Sequence, residues 1–525
     1  MAGEKIFRGL IWSLQKIIWF FFIPVYIVRL FYKHKSCPPI KNDLLFLTAS
    51  TLAYKIRKKE LKSETVVKCY IERISEVNPH LNAVVEDRFR EALEEARQVE
   101  NIVNSKLDEQ EIEEQYPLLG VPITIKGSLA VEGLNHSTGM LLRNKIALKD
   151  ADAVKRVKEA GAIVLLVSNT PELCLNWETT NKLIGTTRNP YDLRRTVGGS
   201  SGGEASLLSS GASIIGIGSD IAGSLRIPMH YCGVWGHKPS PRLISVEGHY
   251  PSCPEEEWPD VFQVGPVSRY ASDLAMLFEI MVEPEMKSKL KKPIDLTKLK
   301  VYYLTEIRNI LVSRVSTDTK EAVSKAVLHL ESISKTSVCQ EIDPKLLKFA
   351  SEHSYLRLLM IDNVENLFSG KGEGAHLEFL RLLFWMSKSV FTTVGYGLLR
   401  WWSRVIPERC VKRTFKDIAV IKSKLLEFLD DQSVLVLPVF TREASPHGDV
   451  YKMLFNYGYC SIFNSLGFPS TCCPITRTSD GMPIGIQVVG APNCDRLCLT
   501  VAKELERAFG GWVPPSADNN FLEMK

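Results

Sequence analysis

Three adjoining stretches of this sequence predict an α/β fold with a largely parallel sheet. Residues 121–126 read VPITIK, a short β-branched run that makes a strand and leaves Lys126 at its C-terminal end. Residues 151–160 form a helix that stops at Gly161. Residues 162–167 then read AIVLLV, apolar at every position and therefore a buried strand. A helix feeding such a strand is the unit from which parallel, helix-covered sheets are built.

In chain order, the first 36 residues stand apart. Residues 17–28 read IIWFFFIPVYIV, an uncharged run that contains Pro24 and is flanked by Gln15, Lys16 and Arg29. About 20 apolar residues cross a bilayer, so the segment spans one if its polar flanks snorkel to the interface. Arg29, Lys33, His34 and Lys35 follow where a signal peptide would place small residues for cleavage. An uncleaved anchor over residues 1–36 is therefore expected, the alternative being a helix docked on the body. Basic residues on both sides leave its orientation open.

The globular part, 37–525, is expected as one domain. Val66, Val67, Tyr70, Ile71, Ile74 and Val77 fall at helical spacing within 63–77, and Asn78-Pro79 is expected to end that helix. Residues 88–103 read as a surface helix and the acidic stretch 108–114 as a solvated loop. Further strands are expected at 299–304, 434–437 and 484–489, with helices at 320–334, 415–430 and 495–509. Residues 377–406 hold two amphipathic apolar stretches with Trp385, Trp401 and Trp402. They make either a core helical hairpin or a monotopic membrane cap, because Trp with Arg or Lys rimming an apolar face suits the interface.

Composition narrows the function classes. The chain has 525 residues, 45% hydrophobic and 24% charged, which excludes disorder and suffices for a large core. A net charge of +5 is too small for a nucleic-acid partner and favours at most an anionic membrane surface. The 12 cysteines are scattered, with no paired metal-ligand spacing, and fit a reducing compartment.

The chemistry concentrates in residues 197–239, which begin VGGSSGGEASLLSSG and continue through SDIAGSLRIP. Clustered glycines let backbone N–H groups approach a ligand closely, so an anion or oxyanion site is expected. No G-x-x-x-x-G-K-[ST] is present, and Gly216-x-Gly218 lacks a third glycine at the dinucleotide spacing. The run 198–202 satisfies G-x-S-x-G, yet NPYDLRRT precedes it where a nucleophile elbow needs an apolar strand.

GGSSGGE at 198–204, Ser224 in DIAGSLRIP and GVPITIK at 120–126 together resemble the amidase-signature family. NPHLNAVVED from Asn78, TNKLIGTTRNPYD from Thr180, GFPSTCCP and GMPIGIQVVG extend the likeness from about residue 45 to 515. The resemblance implies a large twisted mixed sheet with helices on both faces, and a Ser-cisSer-Lys triad carried by Ser224, Ser200 and Lys126. Ser224 would attack, Ser200 would pass the proton, and Lys126, neutral through burial, would accept it. Backbone N–H groups of Ile221, Ala222, Gly223 and Ser224 would hold the oxyanion. Asp220 and Arg226 are expected to pair and fix the loop, Ser201 to order the backbone or Lys126, and His237, with no acid partner evident, to be structural.

Two positions depart from the family pattern. Gly127 stands where Asp or Glu is usual, and Ala222 stands in a loop that commonly reads Gly-Gly-Ser, which is expected to shift the loop. The expected function is membrane-associated hydrolysis of fatty-acid amides, such as primary fatty amides and N-acylethanolamines, at an intracellular membrane held by the N-terminal anchor. Alternatives are an amidase of small soluble amides, a glutamine amidotransferase subunit, or a catalytically silent amide-binding protein. Membrane lipid is an expected partner, no metal, nucleotide or organic cofactor is implied, and the apolar cap would serve equally as a homodimer interface.

Overall fold

The computed structural model describes Ile27 and residues 35–515, apart from 142, 144, 291–293, 337, 366, 367, 369–373 and 385. Its strands in chain order are β1 (Val84–Asp87), β2 (Pro122–Lys126), β3 (Ile163–Ser168), β4 (Thr180–Asn181), β5 (Gly185–Thr186), β6 (Ile215–Asp220) and β7 (Trp235–Lys238). They continue as β8 (Gln263–Ser268), β9 (Lys300–Tyr303), β10 (Cys339–Glu341), β11 (Ser433–Pro438), β12 (Ser470–Arg477) and β13 (Pro483–Gly490). Eleven of them form one sheet in the order β1-β3-β2-β6-β8-β7-β12-β13-β11-β9-β10, and β4 pairs with β5 separately.

The sheet is mixed, as the resemblance implies, and only the largely parallel sheet read from the local crossover pattern is corrected. Parallel pairing is confined to two blocks, β3-β2-β6 and β11-β9-β10, and every pair between β6 and β11 is antiparallel. Parallel neighbours need a crossover such as the helix Asp152–Glu159 between β2 and β3. Antiparallel ones need only a turn, as at Asp480-Gly481 between β12 and β13, where Gly481 takes φ +82°. β2, β3, β6, β8, β11 and β13 are buried at every residue, so helices cover both faces of the sheet there. Thr317–Ile333 packs on β9, β11 and β13, and Asp495–Phe509 on β12 and β13.

Two local expectations fail for readable reasons. The helix expected over 63–77 runs Ser63–Leu81, straight through Pro79, and stops only at Asn82 in the left-handed region (φ 54°). A proline in the last turn removes one hydrogen bond, and Asn78 Oδ1 compensates by accepting from the N–H groups of Ala83 and Val84 at 2.8 and 3.1 Å. The acidic stretch is the helix Glu109–Gln115, nucleated by a capping box in which Asp108 and Glu111 bond each other's backbone.

The expected membrane elements fare differently. Residues 1–36 lie outside the described residues except for Ile27, Lys35 and Ser36, and so does Trp385. No helix among the described residues is long and apolar enough to cross a membrane. Residues 377–406 do contribute to a helical hairpin, Ala375–Leu383 against Phe391–Ser403. Its outer face is apolar: Phe384 and Met386 are each 71% exposed, Val405 70% and Trp402 60%.

Candidate active site

β2 and β6 run parallel, and their C-terminal ends carry Lys126 and the pair Ser219-Asp220. Beyond β6 the neighbour β8 is antiparallel, so these ends open at a change of strand direction, where ligand sites of α/β sheets gather. Lys126 is fully buried, with Nζ 2.7 Å from Ser200 Oγ, 2.9 Å from Ser219 Oγ and 3.4 Å from the Ser219 carbonyl oxygen. Burial pushes the Lys126 amine below its ordinary lysine value, against the pull of Cys174, Asp220 and Glu204.

Ser200 follows a cis Gly199–Ser200 peptide bond, just before the helix Gly202–Ser209. Ser201 Oγ donates to the Ser219 carbonyl at 3.4 Å, so it orders the end of β6 and not Lys126 directly. Glu204, on that helix, accepts from Thr124 Oγ1 at 2.7 Å. Burial raises its carboxyl to about 7, with Ser168, Thr124 and Lys126 pulling the other way.

The loop from Asp220 to Arg226 holds Ser224, which is almost entirely buried. Asp220 braces it from within: Oδ1 accepts the Gly223 N–H at 2.7 Å and Oδ2 the Leu225 N–H at 2.9 Å. Arg226 donates to both Asp220 oxygens, Nη2 to Oδ1 at 2.9 Å and Nε to Oδ2 at 3.1 Å. Burial alone would raise the Asp220 carboxyl, but Arg226 and the two backbone donors outweigh it and hold it at about 2. Arg226 also reaches Cys460 O at 2.9 Å, Gln487 Oε1 at 3.2 Å and Asn464 Oδ1 at 2.6 Å, tying the loop to the C-terminal third of the chain. Replacing Arg226 by leucine strands a buried carboxylate, so a loss of about 3–5 kcal/mol is expected. The urea midpoint would drop with an unchanged slope, and a shift worth under about 1 kcal/mol would count against this brace.

The two departures resolve structurally. The left-handed position of the loop is Gly223, at φ +114°, whereas Ala222 keeps an ordinary backbone, so alanine there does not force the expected shift. A Cβ at Gly127 would sit 2.6 Å from the Ser168 carbonyl oxygen, which accepts the Gly127 N–H at 2.9 Å. The turn after Lys126 is therefore built around glycine.

His237 does have an acid partner: Asp495 Oδ1 lies 3.1 Å from Nε2, with Thr471 Oγ1 2.8 Å from Nδ1. The partners are 258 residues apart and lie in the sheet and its covering helix, which no local pattern could reveal. The reading missed Ser219, His249, Glu204, Asn464 and Gln487 around the site. Ser219, Glu204 and Gln487 lay inside quoted stretches, whereas His249 and Asn464 did not.

This fold and this buried Lys-Ser arrangement accompany a match of residues 65–499 to the Amidase family. The chain belongs to that family and is an amidase, a hydrolase of carbon–nitrogen bonds. It is similar to fatty-acid amide hydrolase 2-A of Danio rerio, 37% identical over 535 residues, 98% of this chain and 99% of the relative. Fatty-acid amide hydrolase 2 of Homo sapiens is likewise 37% identical, over 497 residues and 92% of each chain. A solved fatty acid amide hydrolase gives a TM-score of 0.74 at 22% identity, over 89% of this chain and 86% of that one. A 6-aminohexanoate cyclic dimer hydrolase gives 0.71 at 23%, over 91% and 99%. At these identities the solved structures speak to the fold alone, which is the one expected from the motifs.

Proposed function

We propose that this amidase is a membrane-associated serine hydrolase that converts fatty-acid amides to free fatty acid and amine, with Ser224, Ser200 and Lys126 as its triad. Ser224 Oγ attacks the amide carbon as its proton passes to Ser200, whose own proton moves to neutral Lys126. The N–H of Gly223 is held by Asp220, so the donors proposed for the oxyanion are those of Ile221, Ala222 and Ser224. As the C–N bond breaks, Ser200 protonates the departing amine and regains a proton from Lys126. Water then cleaves the acyl-Ser224 ester by the same relay and releases the acid.

One observation carries the substrate class. Trp177, Ile221, Tyr355, Leu358 and Met453 pack, partly buried, on the apolar cluster that contains Ala222, and apolar surface of this kind suits an acyl chain. This surface continues toward the hairpin. Trp177 stacks on Tyr457 at 4.6 Å, Asn176 reaches Tyr451, and Tyr451 meets Phe391 of the hairpin at 6.2 Å. The Val390 N–H donates to Glu172 at 2.8 Å, and Lys182 donates to the Ser387 carbonyl at 2.6 Å. The exposed hairpin face then serves as a membrane cap, with residues 1–36 as the anchor, so that lipid amides arrive from the bilayer of an intracellular membrane.

Labelling of the purified chain by a lipid-tailed fluorophosphonate tests this reading. Blockade by a long-chain primary amide and not by acetamide is expected. Equal blockade by both would mean small soluble substrates, and no labelling would mean a silent binding protein. For the cap, Phe384→Ser with Trp402→Ser removes two exposed aromatics whose insertion is worth about 2 kcal/mol each. Co-sedimentation with phosphatidylcholine vesicles is expected to weaken at least about tenfold, while a soluble anilide is hydrolysed at the parent rate. Unchanged vesicle binding with lost self-association would instead mark the hairpin as an interface with a second copy.

A further inference from the structure

We propose that His249 is a positioning residue: acting through Ser219, it fixes the direction of the hydrogen bonds around Lys126 so that the amine's lone pair faces Ser200. The proposal rests on the triad reading above, and its parts follow from donor and acceptor bookkeeping.

His249 lies on the loop between β7 and β8. The Ser128 carbonyl receives the Tyr250 N–H at 2.8 Å, and an isolated bridge joins His249 to Leu129, so this loop is clamped to the turn that follows Lys126. The imidazole Nδ1 is 2.9 Å from the Pro251 carbonyl oxygen. A carbonyl only accepts, so Nδ1 carries a hydrogen. Burial, then the nearby Lys126 charge, pushes the ring down to about 3 despite the Pro251 bond, which keeps it neutral. The other ionisable group bearing on it is His136, held at about 4 by burial and bound to the Ser128 carbonyl, and Phe262 covers the ring at 4.5 Å. A neutral ring protonated at Nδ1 offers Nε2 only as an acceptor.

Nε2 is 3.0 Å from Ser219 Oγ, so the Ser219 hydroxyl spends its one hydrogen on His249. Toward Lys126, 2.9 Å away, Ser219 Oγ can only accept. The Ser219 carbonyl, 3.4 Å from Nζ, can never donate. Charged Lys126 thus has three oxygen acceptors beside the Cys174 thiol, and two of the three belong to Ser219 and cannot give a proton back. When the amine loses its proton, Ser200 at 2.7 Å is the strong donor left for the vacated lone pair, the neighbouring Cys174 thiol being only a weak one. That is the direction in which the relay must run. Without an acceptor at His249, the Ser219 hydroxyl is free to turn, donate to the Lys126 lone pair and compete with Ser200.

The test compares His249→Leu, His249→Gln and His249→Asn in the full-length enzyme, with a soluble amide. Leucine removes the acceptor. Glutamine can place its carbonyl oxygen where Nε2 stood, whereas asparagine is too short. His249→Leu is expected to lower kcat about ten- to a hundredfold with KM within about twofold. A turned Ser219 hydroxyl stabilises the neutral amine, so the acid limb of kcat/KM is also expected to move to lower pH. Glutamine should restore at least about half of parental kcat and asparagine should not. Adding His249→Leu to Ser219→Ala should cost less than about twofold further, since the intermediary is already gone.

Parental kcat and an unmoved limb in His249→Leu would overturn the proposal, and so would fully additive losses in the double variant. If the leucine variant does not fold, equal behaviour of the glutamine and asparagine variants overturns it. Lys126→Ala is assayed alongside. If that variant is as active as the parent, the triad reading itself has failed, whereas an inactive Lys126→Ala beside a fully active His249→Leu removes only the present inference.

Discussion

Replacing Ser224 by alanine is expected to lower kcat for a fatty amide on the order of a million-fold while the chain stays folded. The figure is that of losing a serine nucleophile from a working triad, about 8 kcal/mol of transition-state stabilisation. The fold should survive because the loop is held by other atoms: Asp220 grips the Gly223 and Leu225 N–H groups, and Arg226 grips Asp220. None of these bonds uses the Ser224 hydroxyl. Single-turnover hydrolysis, beside a urea melt within about 1 kcal/mol of the parent, checks both halves. Ser200→Ala added to Ser224→Ala should cost almost nothing more, since residues that act as one relay lose their effect together. A loss of only about tenfold would remove Ser224 from the nucleophile's place.

Much of this site was legible because its signals are local. A β-branched run ending in Lys126 and a glycine cluster ending in Ser224 each depend on a few contiguous residues. Local signals were also passed over: the capping box at Asp108 and Glu111 was taken for a solvated loop, and the Asp480-Gly481 turn was not read as a hairpin. What eluded the sequence is long-range. Asn464 and Gln487 meet Arg226 across more than 230 residues, and Asp495 meets His237 across 258. The motifs implied the mixed sheet, whereas the crossover unit alone suggested a largely parallel one because it says nothing of strands joined by turns. The Ala222 departure looked costly only while the left-handed position was unassigned, and that position proved to be Gly223.

Lys126→Ala is expected to lower kcat/KM about 10³- to 10⁴-fold at the parent's optimum, the usual worth of a positioned general base. The pH profile gives the sharper reading. A lysine acts as base only when neutral, so kcat/KM rises as pH passes through its pKa and levels off above it. Because burial lowers that pKa, the plateau should begin well below the range of an exposed lysine. In Lys126→Ala the rising limb should vanish along with most of the rate. Two other buried groups are moved toward neutrality and could give a limb of their own. Lys238, lowered to about 7 by burial, donates to the Pro239 carbonyl and to Gln263, away from Lys126. Glu204, raised to about 7, is closer and feels the Lys126 charge. Glu204→Gln separates them: the amide oxygen still accepts from Thr124 and mimics the protonated acid, so the limb should persist. If the limb disappears with Glu204→Gln and survives in Lys126→Ala, the titrating base is the carboxylate, and the lysine serves only to hold Ser200 in place.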